Sequence, residues 1–180
     1  MIFEETKLKG AFILDVKKIE DERGFFARTY CHEELKQHDL IPEVVQANMS
    51  TNKKKGTLRG MHYQLDPYQE TKLVRCTKGS LYDVIIDLRP KSPTYKNWFG
   101  IELSEDNHRA LFVPKDFAHG FITLTNDTTA SYMVSQFYTP NAEKGIRWND
   151  PAFVIEWPIE PVCISEKDDS CPDFNDQDSN

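Results

Sequence analysis

Hydrophobic residues in this chain occur in short runs, and within several of them, such as VVQANMS and TLRGMHYQ, they alternate with polar residues. Alternation of this kind has the period of a β-strand, in which successive side chains point to opposite faces. Turn-forming sequences such as SPTYKN, EDN, PKD and NDT separate the runs. Strands at this spacing, without long helices between them, predict an all-β, antiparallel sandwich or barrel. The predicted strands span residues 11–18, 44–50, 57–64, 72–79, 80–89, 98–104, 109–114, 120–126 and 130–138.

Other local patterns add a helix and two turns. Residues 31–39, CHEELKQHD, form the one persuasive helix, about two turns long with mostly polar residues. The sequence DERG at 21–24 predicts a turn before a strand. Lys78 and Gly79 predict a tight hairpin that joins the two strands on either side of them.

Side-chain parity identifies a candidate wet face inside such a barrel. Tyr132, Gln136 and Tyr138 share one face of the strand at 130–138, which suits a solvated pocket, although two tyrosines also suit a core. Strict alternation places Arg59 and His62 of GTLRGMHYQ on opposite faces of their strand. A bulge at Gly60 would bring the two side chains together, because glycine within a strand often marks such an irregularity.

Length, composition and charge narrow the class of protein. A chain of 180 residues is expected to form one domain, here residues 1–174, followed by a frayed acidic tail at 175–180. A net charge of −7 argues against non-specific binding to nucleic acid. No apolar run is long enough for a membrane helix, and the first residues lack the pattern of a signal peptide. The four cysteines show no CxxC spacing, so reduced thiols in the cytoplasm are expected.

Two of the five histidines are candidates for acid–base chemistry. His62 lies within a predicted strand and His119 at the beginning of one, near glycines and aromatic residues. A histidine in such a place is more often a hydrogen-bonded structural residue than a catalyst. A metal site is the next alternative, but the position two beyond His62 is Gln64, a poor ligand, so the sequence favours no metal.

Nine segments then carry a resemblance that covers nearly the whole chain. Together and in this order they resemble the dTDP-4-dehydrorhamnose 3,5-epimerase family. The resemblance implies a cupin-type double-sheet jelly-roll barrel with short helices. It also implies an epimerase of deoxysugar biosynthesis that needs no cofactor. The segments are RGFF (23–26), QAN (46–48), GTLRGMHYQ (56–64), KLVR (72–75), DVIIDLRPKSPTY (83–95), VPKDFAHGF (113–121), YMVSQFY (132–138), EKGIRWNDP (143–151) and ISEKD (164–168).

The resemblance implies a catalytic role for each of four residues. In the family's reaction a C4 ketone acidifies the protons on C3 and C5, so the enzyme needs a base, an acid on the opposite face and positive charge near the enolate oxygen. His62 matches the base, and Asp168 matches the carboxylate that fixes its tautomer. Tyr132 matches the acid and Lys72 the enolate-stabilising cation. Taken alone, Asp168 belongs to an ordinary charged run and Lys72 to a strand end.

The resemblance also implies how the nucleotide-sugar substrate binds. Two arginines would contact the pyrophosphate, a glutamine and an asparagine would hydrogen-bond sugar or phosphate, and a histidine would lie beside them. A tyrosine would stack on thymine, a contact worth about 1–3 kcal/mol. The family is dimeric through exchanged N-terminal strands, so a homodimer is expected in which one arginine and a phenylalanine come from the neighbouring subunit. The two arginines are Arg23 and Arg59, the hydrogen-bonding amides are Gln46 and Asn48, the histidine is His119 and the tyrosine is Tyr138. Arg23 and Phe26 are the residues expected from the neighbouring subunit. Glu143 and Lys167 also match the family.

Departures from the family pattern leave alternatives open. Arg28 stands where many members carry glutamate, and Glu70 and Thr71 precede KLV in place of the commoner glutamine and glycine. An enzyme that inverts only C3 and a 3,4-ketoisomerase would keep the same scaffold. A metal-dependent cupin and a non-catalytic sugar-binding barrel are further alternatives.

Overall fold

The computed structural model describes residues 1–175, and most of its strands form two antiparallel sheets. One sheet has six strands, and the predicted strand segments of the sequence supply most of them. With strands numbered in chain order, its neighbours run β1 (Ile2–Glu5), β2 (Phe12–Asp15), β10 (Ala110–Val113), β7 (Lys72–Lys78), β12 (Thr128–Val134) and β5 (Gln46–Asn52).

The second sheet has five strands and faces the first. A separate two-stranded hairpin and two short helices, α1 (His32–Gln37) and α2 (Glu166–Asp169), complete the described chain. Every pair of named strands is antiparallel, which confirms the predicted all-β, cupin-type architecture. The five-stranded sheet runs β13 (Glu143–Gly145), β6 (Leu58–Gln64), β11 (Phe117–Thr123), β8 (Ser80–Asp87) and β9 (Trp98–Ser104), and the hairpin is β3 (Ile19–Asp21) with β4 (Gly24–Phe26).

Apolar side chains from both sheets meet in a common core. Val74 and Ala130 of the six-stranded sheet pack in one cluster with Ile85, Leu103 and Phe121 of the five-stranded sheet. Each is almost completely buried, and full burial of a large aliphatic or aromatic side chain contributes about 1.5–3 kcal/mol. This core holds the two sheets together.

Two predictions about local structure need correction. The predicted hairpin at Lys78 and Gly79 is wrong, because β7 and β8 belong to different sheets. Gly79, with φ of 72°, instead lets the chain cross between the sheets, and its N–H donates to Glu105 Oε1 at 2.9 Å rather than to a ladder partner. The strand predicted at 130–138 ends at Val134, so Gln136 and Tyr138 follow it in irregular chain.

The described residues leave the domain boundaries and the frayed tail as predictions. The single domain over 1–174 stays a prediction. Of the tail predicted at 175–180, residues 176–180 lie outside the described part of the chain.

The predicted irregularity at Gly60 is present in β6. His119 of β11 pairs with His62, whereas Phe121 pairs with Arg59, so β6 has one more residue than β11 between these pairs. The extra residue shifts the alternation of side chains. Arg59 and His62 consequently line the same cavity.

Close contact between two strands requires glycine at position 60. Gly60 has φ of 114°, and a Cβ there would lie 2.5 Å from Cα of Gly120 and 2.7 Å from the carbonyl oxygen of His119. We expect Gly60→Ala to lower the free energy of unfolding by about 3 kcal/mol, because a left-handed backbone costs about 1–2 kcal/mol and overpacking about 1–3 kcal/mol. Urea denaturation measures this loss.

A second glycine provides the control for that variant. Gly24 also has a positive φ, of 126°, but a Cβ there would meet nothing within 4 Å. Gly24→Ala should therefore lose only the backbone contribution, about 1–2 kcal/mol. Equal losses in the two variants would contradict the role given to the Gly60–Gly120 contact.

Candidate active site

A two-lobed cavity opens between the sheets, where β5, β12 and β7 face β13, β6 and β11. One lobe has a volume of about 430 Å³ and the other about 310 Å³, within the usual range for ligand pockets. His62, Lys72 and Tyr132 line both lobes. A neighbouring cavity around Leu88 and Asp116, also of about 430 Å³, contains none of the four predicted catalytic residues.

His62 and Asp168 form a hydrogen-bonded pair at the cavity wall. His62 Nε2 lies 2.8 Å from Asp168 Oδ1, and the side chains are 28% and 7% exposed. An ionised carboxylate only accepts hydrogen bonds, so this contact places the proton of neutral His62 on Nε2. Nδ1 then carries the lone pair, and no other described residue forms a hydrogen bond with it. The imidazole is thus held in the tautomer that a base requires.

Helix α2 explains how a residue far along the chain reaches His62. Ser165 caps the helix, and its Oγ accepts a hydrogen bond from the N–H of Asp168 at 3.1 Å. The second carboxylate oxygen of Asp168 accepts from the N–H of Gly60 at 3.3 Å. Both oxygens of the buried carboxylate therefore have donors, one in the bulge of β6 and one on the imidazole.

These contacts determine the charge state of Asp168. Burial by itself raises the pKa of the carboxyl, but the hydrogen bond and charge of His62 and the N–H of Gly60 lower it more. The net result is a pKa below the ordinary value. Asp168 therefore stays ionised beside His62 at neutral pH.

Tyr132 and Lys72 lie on the opposite wall, in the six-stranded sheet. They occupy the neighbouring strands β12 and β7. Burial raises the pKa of the Tyr132 phenol, the carboxylate of Glu70 raises it further, and Arg59 lowers it. The Lys72 ammonium is 12% exposed and lies 3.1 Å from Glu70 Oε1. A protonated phenol and a cation thus face His62 across the cavity.

His119, which lines the smaller lobe, belongs to a second imidazole–carboxylate pair. His119 Nε2 is 2.8 Å from Oδ1 of Asp83, which is fully buried. The other oxygen of Asp83 has no hydrogen-bond partner in the part of the chain that the structure describes. The pair fixes the orientation of His119, which lines the cavity with Arg59.

Polar residues on β5 and β6 extend the cavity walls. Gln46 and Asn48 line the larger lobe, as their shared parity predicts. Arg59 lines the smaller lobe, and its Nε donates to Asn52 Oδ1 at 2.7 Å. This bond anchors the guanidinium and leaves its other nitrogens to bind an anion.

A polar cluster forms the mouth of the larger lobe. The Tyr138 hydroxyl donates to Glu143 Oε2 at 2.9 Å, and Lys167 Nζ lies 2.5 Å from the same oxygen. Burial raises the pKa of Glu143, but the hydrogen bonds from Lys167 and Tyr138 bring it below the ordinary value. Tyr138 is 56% exposed, so its ring is accessible to a ligand at the mouth. Gln136, predicted on the same face, is absent from the lining of the two lobes.

Two predicted binding residues do not reach this cavity. Arg23 is 84% exposed and pairs with Asp21, and Phe26 is 66% exposed. Both belong to the β3–β4 hairpin.

Arg28, which stands where many family members carry glutamate, forms an ion pair with Glu34 at 3.1 Å. Within one chain, therefore, 11 of the 13 predicted site residues line the two lobes.

Sequence reasoning missed three polar residues at the site: Glu70 and Gln64 line the larger lobe, and Asp83 pairs with His119. Glu70 precedes β7 and carried no signal beyond its departure from the family pattern. In sequence Gln64 stands out only as a poor metal ligand, yet its Oε1 accepts a hydrogen bond from the N–H of Thr139 at 2.6 Å and so holds the loop that carries Tyr138. Gln64 lies two residues beyond His62 on the same strand, so alternation places both side chains on the face that lines the cavity. Asp83 lies in the apolar run SLYDVIID, where a buried carboxylate signals a polar partner.

Residues 1–175 were predicted to lack a metal site, a membrane helix and a disulfide framework. No group of three or more His, Cys, Asp or Glu side chains is placed to hold a metal ion within these residues. In the same part of the chain no helix is both long and apolar enough to cross a bilayer. Cys31, Cys76, Cys163 and Cys171 are all free thiols.

The fold and the site together define a cupin-type barrel with a cavity arranged for acid–base chemistry. A family model described as dTDP-4-dehydrorhamnose 3,5-epimerase matches residues 5–176. The chain therefore belongs to the dTDP-4-dehydrorhamnose 3,5-epimerase family, and the resemblance seen in its motifs is confirmed.

Individual relatives agree with the family model. The dTDP-4-dehydrorhamnose 3,5-epimerase of Sinorhizobium fredii is 40% identical over 173 residues, which cover 96% of this chain and 89% of that protein. The crystal structure of the enzyme of that name from Elizabethkingia anophelis superposes with a TM-score of 0.95 at 36% identity, covering 99% of this chain and 98% of that one. A Legionella pneumophila dTDP-6-deoxy-D-glucose-3,5-epimerase in complex with dTDP-4-keto-L-rhamnose has a TM-score of 0.89 at 35% identity, covering 96% and 92%.

Proposed function

We propose that this protein epimerises a dTDP-linked 4-keto-6-deoxyhexose at C3 and C5, a step in the biosynthesis of dTDP-L-rhamnose. The observation that carries the proposal is the His62–Asp168 pair, which faces Tyr132 and Lys72 across one cavity. Family membership and the keto-sugar complex of the Legionella relative support the choice of substrate.

Proton removal is the first step. His62 takes the proton from C3 or C5 through Nδ1, and the electrons of the broken C–H bond move into the C4 carbonyl to form an enolate. Asp168 stabilises the imidazolium that results. The Lys72 ammonium stabilises the negative charge on the enolate oxygen.

Reprotonation from the opposite face completes the inversion. Tyr132 donates its phenolic proton to the same carbon, and the enolate collapses to the ketone. The raised pKa of Tyr132 keeps this proton in place at neutral pH. His62 then releases its proton to solvent and Tyr132 regains one, which restores the starting state of the site. A second cycle inverts the other carbon. Both cycles move only protons, so the reaction has no redox step.

The remaining cavity residues bind the nucleotide part of the substrate. Arg59 contacts the pyrophosphate with the nitrogens that Asn52 leaves free, and His119 lies beside it in the smaller lobe. Gln46 and Asn48 hydrogen-bond sugar or phosphate. Tyr138 stacks on thymine at the exposed mouth. The pair of Glu143 and Lys167 holds the Tyr138 hydroxyl.

The proposal includes a homodimer in which the N-terminal hairpin of each subunit completes the partner's site. Strands β3 and β4 pair only with each other among the described residues. Ile19, Phe25 and Phe26 on this hairpin are 65%, 47% and 66% exposed. An isolated two-stranded hairpin with exposed apolar side chains is at best marginally stable, so a second chain is its natural packing partner. Arg23 would then reach the pyrophosphate of the neighbouring site.

Mixing two inactive variants tests this arrangement. Arg23→Ala and His62→Asn should each be nearly inactive as homodimers, whereas a mixed dimer has one intact site. After subunit exchange, half of the dimers are mixed, so about a quarter of wild-type activity should return. The same mixture made with Arg59→Ala in place of Arg23→Ala should stay inactive, because Arg59 and His62 serve the same site. Recovery in neither mixture, with exchange verified, would contradict the shared site.

Solvent-deuterium incorporation tests the function itself. The purified protein is incubated in D2O with the dTDP-linked 4-keto-6-deoxyhexose, and the product is analysed by NMR. The proposal predicts deuterium at both C3 and C5 with inversion of both centres. Deuterium at C3 alone would identify the C3-only enzyme, and substrate binding without exchange would identify a sugar-binding barrel.

A cytoplasmic location is part of the proposal, and the four free thiols fit a reducing compartment.

A further inference from the structure

Glu70 is an ionisable cavity residue that takes no part in the proposed proton transfers or in substrate binding. It lies two residues before Lys72 and lines the larger lobe with Lys72 and Tyr132. Its carboxylate is 13% exposed, and Oε1 lies 3.1 Å from Lys72 Nζ. The ion pair is therefore largely withdrawn from solvent.

A negative charge in this place works against substrate binding. The proposed substrate is a diphosphate and the proposed intermediate an enolate, so an additional carboxylate in the same lobe repels both. A carboxylate that is 13% exposed also loses much of its hydration. Such a group needs a compensating role in the site.

We infer that Glu70 is a positioning residue for the acid side of the reaction: its carboxylate holds the Lys72 ammonium at the cavity wall and keeps the Tyr132 phenol protonated. The inference rests on the proposed function of Lys72 and Tyr132. A negative charge favours the neutral phenol over the phenolate and attracts the ammonium. Glu70 acts through these two groups and need not touch the substrate.

The charges around Tyr132 do not all act in the same direction. In the larger lobe its ionisable neighbours are His62, Glu70, Lys72, Tyr138 and Glu143. In the smaller lobe they also include Arg59, His119, Lys167 and Asp168. Among these, Glu70 raises the pKa of the phenol and Arg59 lowers it, after the larger contribution from burial. Glu70 is thus the carboxylate that opposes the effect of Arg59 on the phenol.

The backbone around Glu70 is held by other contacts. The N–H of Thr71 donates to Ser135 Oγ at 2.8 Å, and the N–H of Ser135 donates to the carbonyl of Thr71 at 3.1 Å. Neither bond involves the Glu70 carboxylate. Glu70→Gln, which keeps the shape and removes the charge, should therefore fold normally.

Direct titration of Tyr132 tests the inference without catalysis. The full-length protein is labelled with [13Cζ]tyrosine, and the Tyr132 signal is assigned by its absence in Tyr132→Phe. In Glu70→Gln the signal should titrate at lower pH than in the wild type, and Glu70→Asp, which keeps the charge, should restore the higher value. Glu156→Gln is the matched control, because Glu156 raises the pKa of Tyr82 instead. An unchanged Tyr132 titration in Glu70→Gln would overturn the inference.

Kinetics separate this inference from the proposed function. The alkaline limb of kcat should move to lower pH in Glu70→Gln, and not in Glu156→Gln, because the phenol loses its proton earlier. If Tyr132→Phe retained full epimerase activity, the proposed role of Tyr132 would fail even where the NMR titration still moved. If Tyr132→Phe were inactive while Glu70→Gln left both the titration and the alkaline limb unchanged, the role of Glu70 alone would fail.

Discussion

Replacing His62 by asparagine is expected to lower kcat by about 10²- to 10⁴-fold, the range for loss of a general base. An asparagine amide can still donate a hydrogen bond to Asp168, so the buried carboxylate keeps a partner. The variant lacks a group that can take a proton near neutral pH. Steady-state kinetics on the dTDP-linked keto sugar, with KM measured separately, gives the effect. The change should fall on kcat, because His62 bonds to carbon hydrogens in the transition state and not to the nucleotide.

A histidine outside the cavity provides the control. His32 lies on α1, is 50% exposed and contacts Glu33 at 3.2 Å. His32→Asn makes the same chemical change and should leave kcat unaltered. A folded His62→Asn variant with kcat within about tenfold of the wild type, below the range for a general base, would show that another group removes the proton.

Asp168→Asn is expected to be the second most damaging change, lowering kcat by about 10²- to 10⁴-fold. The N–H of Gly60 donates to one carboxylate oxygen, so the oxygen of asparagine will occupy that place. Its NH2 group then faces His62 Nε2, which must accept the hydrogen bond. The proton of neutral His62 moves to Nδ1, the nitrogen that has to act as the base. The geometry is kept but the tautomer is wrong.

The neighbouring residue of α2 gives a matched control. Asp169 is exposed, and Asp169→Asn should change kcat little. Stability gives a second readout, because a carboxylate with a lowered pKa stabilises the fold above its ordinary pKa of about 4 and loses this contribution as pH falls. The wild type should therefore be more stable than Asp168→Asn at pH 7, and the difference should shrink in acid. An equally active Asp168→Asn would contradict the tautomer argument.

The strands and the bulge were accessible from sequence because they depend on local pattern. Alternation of apolar and polar residues located β9 and most of β5, β6 and β7. Gly60 marked the place where that alternation breaks, and the register of β6 against β11 confirms it. The hairpin at Gly79 was predicted wrongly because a tight turn looks the same whether its strands pair or enter different sheets. Only the strands that pair with β7 and with β8, which belong to different sheets, settle that point.

The site was accessible only in part. Without the family resemblance, Asp168 is one acid in a charged run, and its use depends on a short helix that reaches β6 over a separation of 106 residues. Arg23 lies outside the cavity within one chain, so its proposed role needs a second chain, which no pattern within one chain reveals. The role of Glu70 depends on its contact with Lys72, and its departure from the family pattern is the one sequence signal at this position.

Hydrogen exchange at C3 and C5 in D2O, followed by NMR in His62→Asn and Tyr132→Phe side by side, tests most directly whether His62 removes the proton. The account predicts no deuterium above the uncatalysed background at either carbon in His62→Asn. In Tyr132→Phe, deuterium should still enter but without completed inversion, because His62 can return a solvent-derived deuteron to the face from which it took the proton. Wild-type exchange rates in His62→Asn would contradict the account.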